Sequence, residues 1–388
     1  LLNLSQNIPW TGGSLFLETS AQRMDLFSEH KYSWQTSPIM IGYRQSLFGY
    51  NSLKWDKRIE PVRYQEAKKN YVETLELVSA NAINKFFALA TAQSNYDIAS
   101  FNYANADTLY RYAQGRYNIG TITENEMLQL ELNRLTEETN RMNARIEMDN
   151  CMQELRSYLG IQEEREIRVR VSSRIPNFSI NLNEALALAY ENSPDIQTMK
   201  RRKLESESAV ARARANAGLK ADIYLRFGLT QTADKLPEAY RNLLDQQYVS
   251  LSISLPILDW GRGKGQVRVA RSNRDLVYTQ VEQSRTDFEL NVRKLVKQFN
   301  LQTQRVRIAA RTDETAQRRN EVARKLYILG KSTILDLNAS ISEKDSARRN
   351  YVSALYNYWS LYYTLRSMTL YDFESNKLLT EDYNLLIE

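Results

Sequence analysis

Two kinds of apolar spacing alternate along this chain, and the alternation occurs twice. Val249, Leu251, Ile253, Leu255 and Ile257 fall on every second position, with Tyr248, Ser250, Ser252 and Ser254 between them. Ile39, Ile41, Tyr43 and Leu47 set out a similar face earlier in the chain. Period two predicts strands with one apolar and one wet face. Elsewhere the spacing is that of heptads. Val281, Phe288, Val292, Leu295 and Phe299 step by 7, 4, 3 and 4, and Leu128, Leu132, Leu135, Met142 and Ile146 by 4, 3, 7 and 4. Seams of this kind bury only against partner helices. Gly and Pro are absent from Thr121–Leu159, Gln266–Leu329 and Lys331–Glu388, and between Pro61 and Gly115, which predicts long helices there. Sixty-four residues of unbroken helix would span about 96 Å.

The two halves share one offset. Ala113, Tyr117, Gly120 and Thr123 match Ala323, Tyr327, Gly330 and Thr333, each 210 residues on, and Leu155-Arg156-Ser157 matches Leu365-Arg366-Ser367. Leu15 and Leu17 correspond to Leu225 and Phe227. A constant offset across strands, helices and turns implies two copies of one structural unit. The first copy is expected over 1–160, with strands about 12–26 and 34–48 and a helical hairpin about 52–159 that turns at Gly120. The second is expected over 182–370, with strands about 221–232 and 246–258 and a hairpin about 262–370 that turns at Gly330. A linker over 161–181 joins them, and 371–388 is a C-terminal segment. In the linker, Ile167, Val169 and Val171 alternate with arginines, which suggests a short strand. Residue 1 matches position 211, inside a unit that opens near Ser179. The first copy is therefore expected to lack its opening helix, and the native chain to begin earlier.

Four strands are too few to close a barrel, since the smallest membrane barrels have about eight. An open apolar sheet suits neither lipid nor water. The strands are therefore expected to be pooled among copies of the chain, with three copies giving twelve. No apolar run approaches the roughly 18 residues of a transmembrane helix.

Composition narrows the function. Hydrophobic residues are 43% and charged residues 25%, which excludes a disordered polymer. The net charge of +6 comes from 52 basic and 46 acidic residues interleaved along helices, a solvated-face pattern and not a nucleic-acid patch. Cys151 is the only cysteine and His30 the only histidine, so neither a disulfide nor a multi-histidine or cysteine-cluster metal site is expected. Gly261-Arg-Gly-Lys-Gly265 stands between a strand and a helix, where a phosphate loop would be. It fits neither GxxxxGK(S/T) nor GxGxxG, and its strand alternates. No catalytic constellation emerges, and neither an enzyme nor a cofactor site is expected.

Several segments together resemble the outer-membrane efflux protein family, the TolC-like channels. Leu182-Asn-Glu-Ala-Leu-Ala-Leu-Ala-Tyr-Glu-Asn-Ser-Pro194 is similar to the family's opening helix, and Ser254-Leu-Pro-Ile-Leu-Asp-Trp-Gly261 to its strand ending. Arg116-Tyr-Asn-Ile-Gly120 and Tyr327-Ile-Leu-Gly330 resemble its two hairpin tips. The resemblance implies a mainly α protein with membrane β structure. It would be a homotrimer with a shared twelve-strand barrel in outer-membrane lipid and an α-barrel of coiled-coil helices in the periplasm. It implies a passive exit duct of a tripartite efflux or secretion pump, working with a periplasmic adaptor and an inner-membrane pump. The family's constriction carries a tyrosine, an arginine and two aspartates. Tyr327 and Asp336 stand at the tyrosine and first aspartate, but Ser332 replaces the arginine and Ala339 the second aspartate. The tip residues Ile119, Gly120, Thr123, Leu329, Gly330 and Thr333 would meet the adaptor. The alternative is a soluble coiled-coil scaffold or secretion-system rod without a pore.

Overall fold

The computed structural model describes residues 2–28, 31–162, 166–255, 257–329 and 331–379. In chain order, β1 (Leu2–Asn7), β2 (Ser14–Leu26) and β3 (Lys31–Ser46) precede α1 (Ser52–Asn118) and α2 (Glu124–Tyr158). Then come α3 (Leu182–Asn192), α4 (Pro194–Ala217), β4 (Lys220–Ala233), β5 (Leu244–Ser254), α5 (Arg262–Ile328) and α6 (Ile334–Thr369). A small hairpin follows, β6 (Tyr371–Asp372) with β7 (Lys377–Leu378). α1 and α5 are each 67 residues long and begin and end 210 residues apart.

The chain forms two compact units, Leu1–Lys68 with Pro194–Asp287, and Lys69–Ser193 with Phe288–Glu388. Neither coincides with a sequence repeat, because strands of the two copies pair with each other. In the first unit all strands join one antiparallel sheet in the order β1-β2-β3-β4-β5. The β3–β4 pairing sets Ile41 opposite Phe227 and Tyr43 opposite Leu225. The sheet has five strands, not the four expected. β1 was hidden because Leu2–Asn7 corresponds by offset to the end of α4, and only Leu2 and Leu4 mark its alternation. The open edge of β2 supplies the pairing that makes this segment a strand.

The sheet covers the polar face more than the apolar one. Met40 is 1% exposed, Gly42 beside it is buried and Phe16, Tyr224 and Arg226 are half-buried on that face, whereas Ile39 and Ile41 are 54% and 53% exposed and Leu251 and Ile253 are 60% and 65% exposed. Gly42 makes room for an aromatic contact on the covered face. A Cβ there would meet the Phe16 ring at 2.0 Å, and that ring stacks on Tyr224 at 5.6 Å between centroids. The turn around Glu238–Tyr240 is fixed by Thr36, whose hydroxyl donates to the Ala239 carbonyl. In the same unit Arg201 of α4 bonds Glu66 of α1 and Glu205.

The second unit is a coiled-coil packing of α1, α2, α5 and α6. Ala92, Ala99, Ala106 and Ala113 are buried at strict seven-residue intervals on α1. On α5, Val292, Phe299, Val306, Asp313 and Asn320 do the same. A strict seven-residue repeat imposes left-handed supercoiling. Leu295, expected in the seam, is only half-buried, and Val296 takes the core position. Both polar members find hydrogen-bond partners within the seam. Asp313 accepts from Gln317 at 3.0 Å and Arg348 at 3.1 Å, and Asn320 donates to Ser340 at 3.0 Å. Such polar core positions set register. The expected α2 seam differs. Leu128, Leu132, Leu135, Met142 and Ile146 are all exposed, because α2 turns Leu130, Met148 and Leu155 inward.

The 166–181 linker forms no strand. Side-chain amides of the long helices take its backbone groups instead. Asn300 both accepts from Ile180 N–H and donates to its carbonyl, each at 2.9 Å, and Gln93 accepts from Val169 N–H at 3.0 Å. Ile167 and Val169 pack beside Leu89, Ala92, Met148 and Leu155. Phe178 joins an aromatic cluster with Phe299 and Tyr362, centroids 5.4 and 5.9 Å away.

One ion network closes the end of this unit. Arg366 bonds Glu76 at 2.9 Å and Asp372 at 3.4 Å, and the Tyr362 hydroxyl donates to Asp372. Burial opposes the charge on Asp372, but the Tyr362 hydroxyl and the N–H groups of Ser375 and Glu374 outweigh it and hold the carboxyl below its usual range. Its contribution to stability is therefore complete above the ordinary aspartate pKa of about 4 and is lost as pH falls through the lower, folded value. Removing Arg366 leaves buried Glu76 without its partner. Arg366→Met is expected to destabilise the protein by about 3 kcal/mol in denaturant unfolding. Glu76→Leu added to that variant is expected to recover part of the loss.

Candidate functional site

The residues that the sequence marks for function lie at two helix-to-helix turns, one ending α1 and the other ending α5. Gly120 takes the left-handed conformation, φ 71°, that a non-glycine residue rarely adopts. Its N–H reaches the Tyr117 carbonyl at 2.8 Å, and Thr121 N–H reaches Arg116 at 2.9 Å. This is a Schellman-type close that satisfies the last carbonyls of α1. The second turn repeats the long bond, Lys331 N–H to Leu326 at 2.8 Å. Gly330 lies outside the described residues.

Each returning helix starts with a reciprocal cap. The Thr123 hydroxyl accepts from Glu126 N–H at 3.2 Å, and the Glu126 carboxylate accepts from Thr123 N–H at 3.1 Å. Thr333 and Asp336 do the same at 3.2 and 3.4 Å. The capping threonines were legible in the sequence. Asp336 was singled out for the constriction and Glu126 not at all; their reciprocal capping was missed, although the Thr-x-x-Glu and Thr-x-x-Asp spacing announces it.

The structure brings Ser332, Thr333 and Asp336 together and sets Tyr327 apart. Ser332 Oγ lies 3.3 Å from Asp336 Oδ2, and the Thr333 hydroxyl donates to the same oxygen at 2.7 Å. The Thr333 hydroxyl above all, then its N–H, holds the exposed Asp336 carboxyl below the usual range. Tyr327 is half-buried beside a cavity of about 180 Å³ lined also by Tyr112, Arg324 and Leu337. Burial pushes its phenol up, against the pull of Arg116. Ile119 and Leu329 are strongly exposed at the tips, and so is Leu335, which sequence reasoning did not single out.

The other candidates do not form a site. The N–H groups of Gly261 and Gly263 are occupied by Asp259, at 2.9 and 2.8 Å, where a phosphate would need them. His30 lies outside the described residues. Among the described residues no group of three or more metal-ligating side chains occurs, and no helix is long and apolar enough to cross a membrane.

Strands that pair across the two repeats and long helical hairpins, written twice, define the fold. Residues 185–369 match the model of the outer membrane efflux protein family, and the resemblance read from the sequence holds there. The structure is similar to the Campylobacter jejuni CmeC outer membrane channel, at 15% identity and TM-score 0.74, over 98% of this chain and 81% of that one. It is similar to the outer membrane protein VceC of Vibrio cholerae, at 15% identity and TM-score 0.70, over 92% and 86% of the two chains. It is also similar to the open state of the Neisseria gonorrhoeae MtrE outer membrane channel, at 14% identity and TM-score 0.70, over 95% and 81%. These likenesses show a shared fold. Comparison with curated protein sequences gives no match.

The caps make a local prediction. Thr333→Ala is expected to cost the start of α6 about 1 kcal/mol, read as faster amide exchange in its first turn with the exchange of Tyr358 unchanged. Acid should loosen the same turn. The Asp336 contribution persists above the ordinary aspartate pKa and disappears as pH drops through its lower folded value.

Proposed function

We propose that this chain is one copy of a trimeric exit duct in the bacterial outer membrane, extending into the periplasm. It conducts substrates passively from periplasm to exterior as the outer part of a tripartite efflux or secretion pump. The observation that carries this reading is the uncovered apolar face of the sheet. Leu15, Leu17, Ile39, Ile41, Phe227, Val249, Leu251 and Ile253 are all exposed, while the opposite face presents Ser250, Ser252, Arg226 and Gln246. Lipid outside and water inside is the arrangement such alternation suits. β2 to β5 supply the four strands per copy that twelve in a trimer require. Exposed aromatic side chains near both sheet ends fit interfacial girdles, with Phe27 and Tyr32 at one end and Trp10 and Trp260 at the other.

The helices support the same assembly. The exposed α2 stripe from Leu128 to Ile146 has heptad spacing and calls for a helix of the next copy. At the tips, Ile119 and Leu329 offer apolar knobs beside Gly120, Thr123, Gly330 and Thr333 for the helical hairpin of a periplasmic adaptor, which links the duct to an inner-membrane pump. Tyr327, Ser332 and Asp336 are the gate candidates. A ring of three Asp336 carboxylates would favour cations by focusing negative potential. The soluble-scaffold reading leaves the apolar sheet face in water.

Purified protein is expected to run as a trimer in detergent and to give discrete conductance steps in a planar bilayer. Asp336→Asn should lower the ratio of cation to anion permeability. A water-soluble monomer without conductance would reject the proposal. Ile41→Arg, on the lipid face, is expected to destabilise the assembled barrel by about 2–4 kcal/mol, and Ser252→Arg, on the opposite face, by far less. Urea unfolding in liposomes measures both.

A further inference from the structure

We propose that the cavity beside Tyr327 is a binding site for a small aromatic monocarboxylate, with its ring among side chains of α1, α5 and α6 and its carboxylate at Arg324. Every wall of the site comes from one chain, so the inference goes beyond the duct reading and does not rest on it.

Three helix faces make the cavity. α1 lines it through Leu109 and Tyr112, α5 through Arg324 and Tyr327, and α6 through Leu337 and Ile341. The members of each pair are three or four residues apart and so share a face of their helix. About 180 Å³ stays open among them. An apolar cavity of ~150 Å³ already admits benzene. Lining atoms beside a void forfeit the contacts they would otherwise make, and an occupant of matching shape restores them.

The polar groups around the cavity divide into spent and free. The Thr108 hydroxyl donates to the Ala104 carbonyl at 2.8 Å, and the Asn320 amide donates to Ser340 at 3.0 Å. Arg324, Tyr112 and Tyr327 have no hydrogen bond or ion pair among the described residues. Glu321, one turn before Arg324, lines a separate cavity with Asp313 and Arg348. Asp107 is engaged by Arg111 at 2.9 Å, Glu126 by Thr123 N–H at 3.1 Å, and Asp336 by the Thr333 hydroxyl at 2.7 Å. A second guanidinium, Arg116, stands over the Tyr112 ring at 5.8 Å. Burial pushes the Tyr327 phenol up, so it stays a donor at neutral pH.

The free groups are therefore donors, and the complement they call for is an acceptor with negative charge. A bare inorganic anion would make no use of Leu109, Leu337 and Ile341. A neutral hydrocarbon would gain nothing from the guanidinium. One ring bearing one carboxylate meets both, and a guanidinium takes a carboxylate through two parallel hydrogen bonds. An occupant touching α1, α5 and α6 together ties the ends of the two hairpins to each other beside both turns.

The test titrates the full chain, purified in a neutral maltoside detergent, with benzoate, benzyl alcohol and benzylammonium, and follows binding by ligand NMR. Benzoate is expected to bind about tenfold more tightly than benzyl alcohol or benzylammonium. Its binding should slow amide exchange over 105–112, 320–328 and 337–341. Arg324→Gln, at an exposed position, should bring benzoate down to the affinity of benzyl alcohol while leaving benzyl alcohol unchanged. Ile341→Phe, which fills the cavity, should abolish binding of both, and Arg324→Gln alone decides the matter if that variant fails to fold. Benzoate binding no tighter than benzylammonium, slowed exchange on none of the three helices, or benzoate affinity unchanged in Arg324→Gln would each overturn the inference. Trimer formation and conductance report on the duct separately.

Discussion

The constraint on which this structure turns is that its sheet buries the wrong face for a protein in water. Met40 and Gly42 are covered, with Phe16 and Arg226 half-covered beside them, while Ile41, Leu251 and Ile253 are open. A water-soluble sheet covers its apolar face with helices, and here the helices spend their seams on one another. Exposed apolar area costs about 25 cal/mol per Å², so a face of this breadth needs an apolar medium or an apolar partner. The same sheet has two open edges, and hydrocarbon tolerates no unpaired backbone. Both needs are met together only when several copies join their sheets around a closed wall.

The long helices obey a second form of the same rule. α1 brings an alanine at every seventh position and α5 a mixture of Val, Phe, Asp and Asn at its own seven-residue spacing. Small residues let helices approach closely, and the polar Asp313 and Asn320 of α5 fix which turns meet by requiring Arg348 and Ser340 of α6. Those polar positions lie towards the tips, whereas the Phe299–Tyr358–Tyr362 cluster and the Arg366–Glu76 pair lie towards the linker. Stability is thus concentrated where the linker docks, and the described residues of each tip are held chiefly by a backbone turn and a capping box. A region held by few buried contacts is the one able to open or to receive a partner.

Much of this was legible in the sequence because it rests on local periodicity. Alternation marked β2 to β5, the lack of Gly and Pro marked α1, α2, α5 and α6, and the 210-residue offset matched the helix ends to each other. What escaped depends on partners remote in sequence. β1 is a strand because β2 has a free edge, not because six residues with two leucines prefer that state. Ile167, Val169 and Val171 alternate like a strand, yet Gln93 and Asn300 take the backbone groups a neighbour strand would have used. The α2 seam reads like the α5 seam, and nothing local tells which one faces outward. Arg366 and Glu76 are 290 residues apart, and no spacing rule joins them. The tip site was legible in its glycines and threonines, while the acids that complete the caps were within reach of a rule left unapplied.

The central claim is that the exposed apolar row of the sheet touches lipid and the opposite row touches water. Single spin labels placed at consecutive positions along β3 and β5, in protein reconstituted into liposomes, test it most directly through their accessibility to oxygen and to a water-soluble nickel complex. The account predicts a two-residue period, with oxygen accessibility highest at Ile39, Ile41, Val249, Leu251 and Ile253 and nickel accessibility highest at the positions between them. Equal nickel accessibility on both faces, or labels on the apolar row shielded from both reagents, would contradict it.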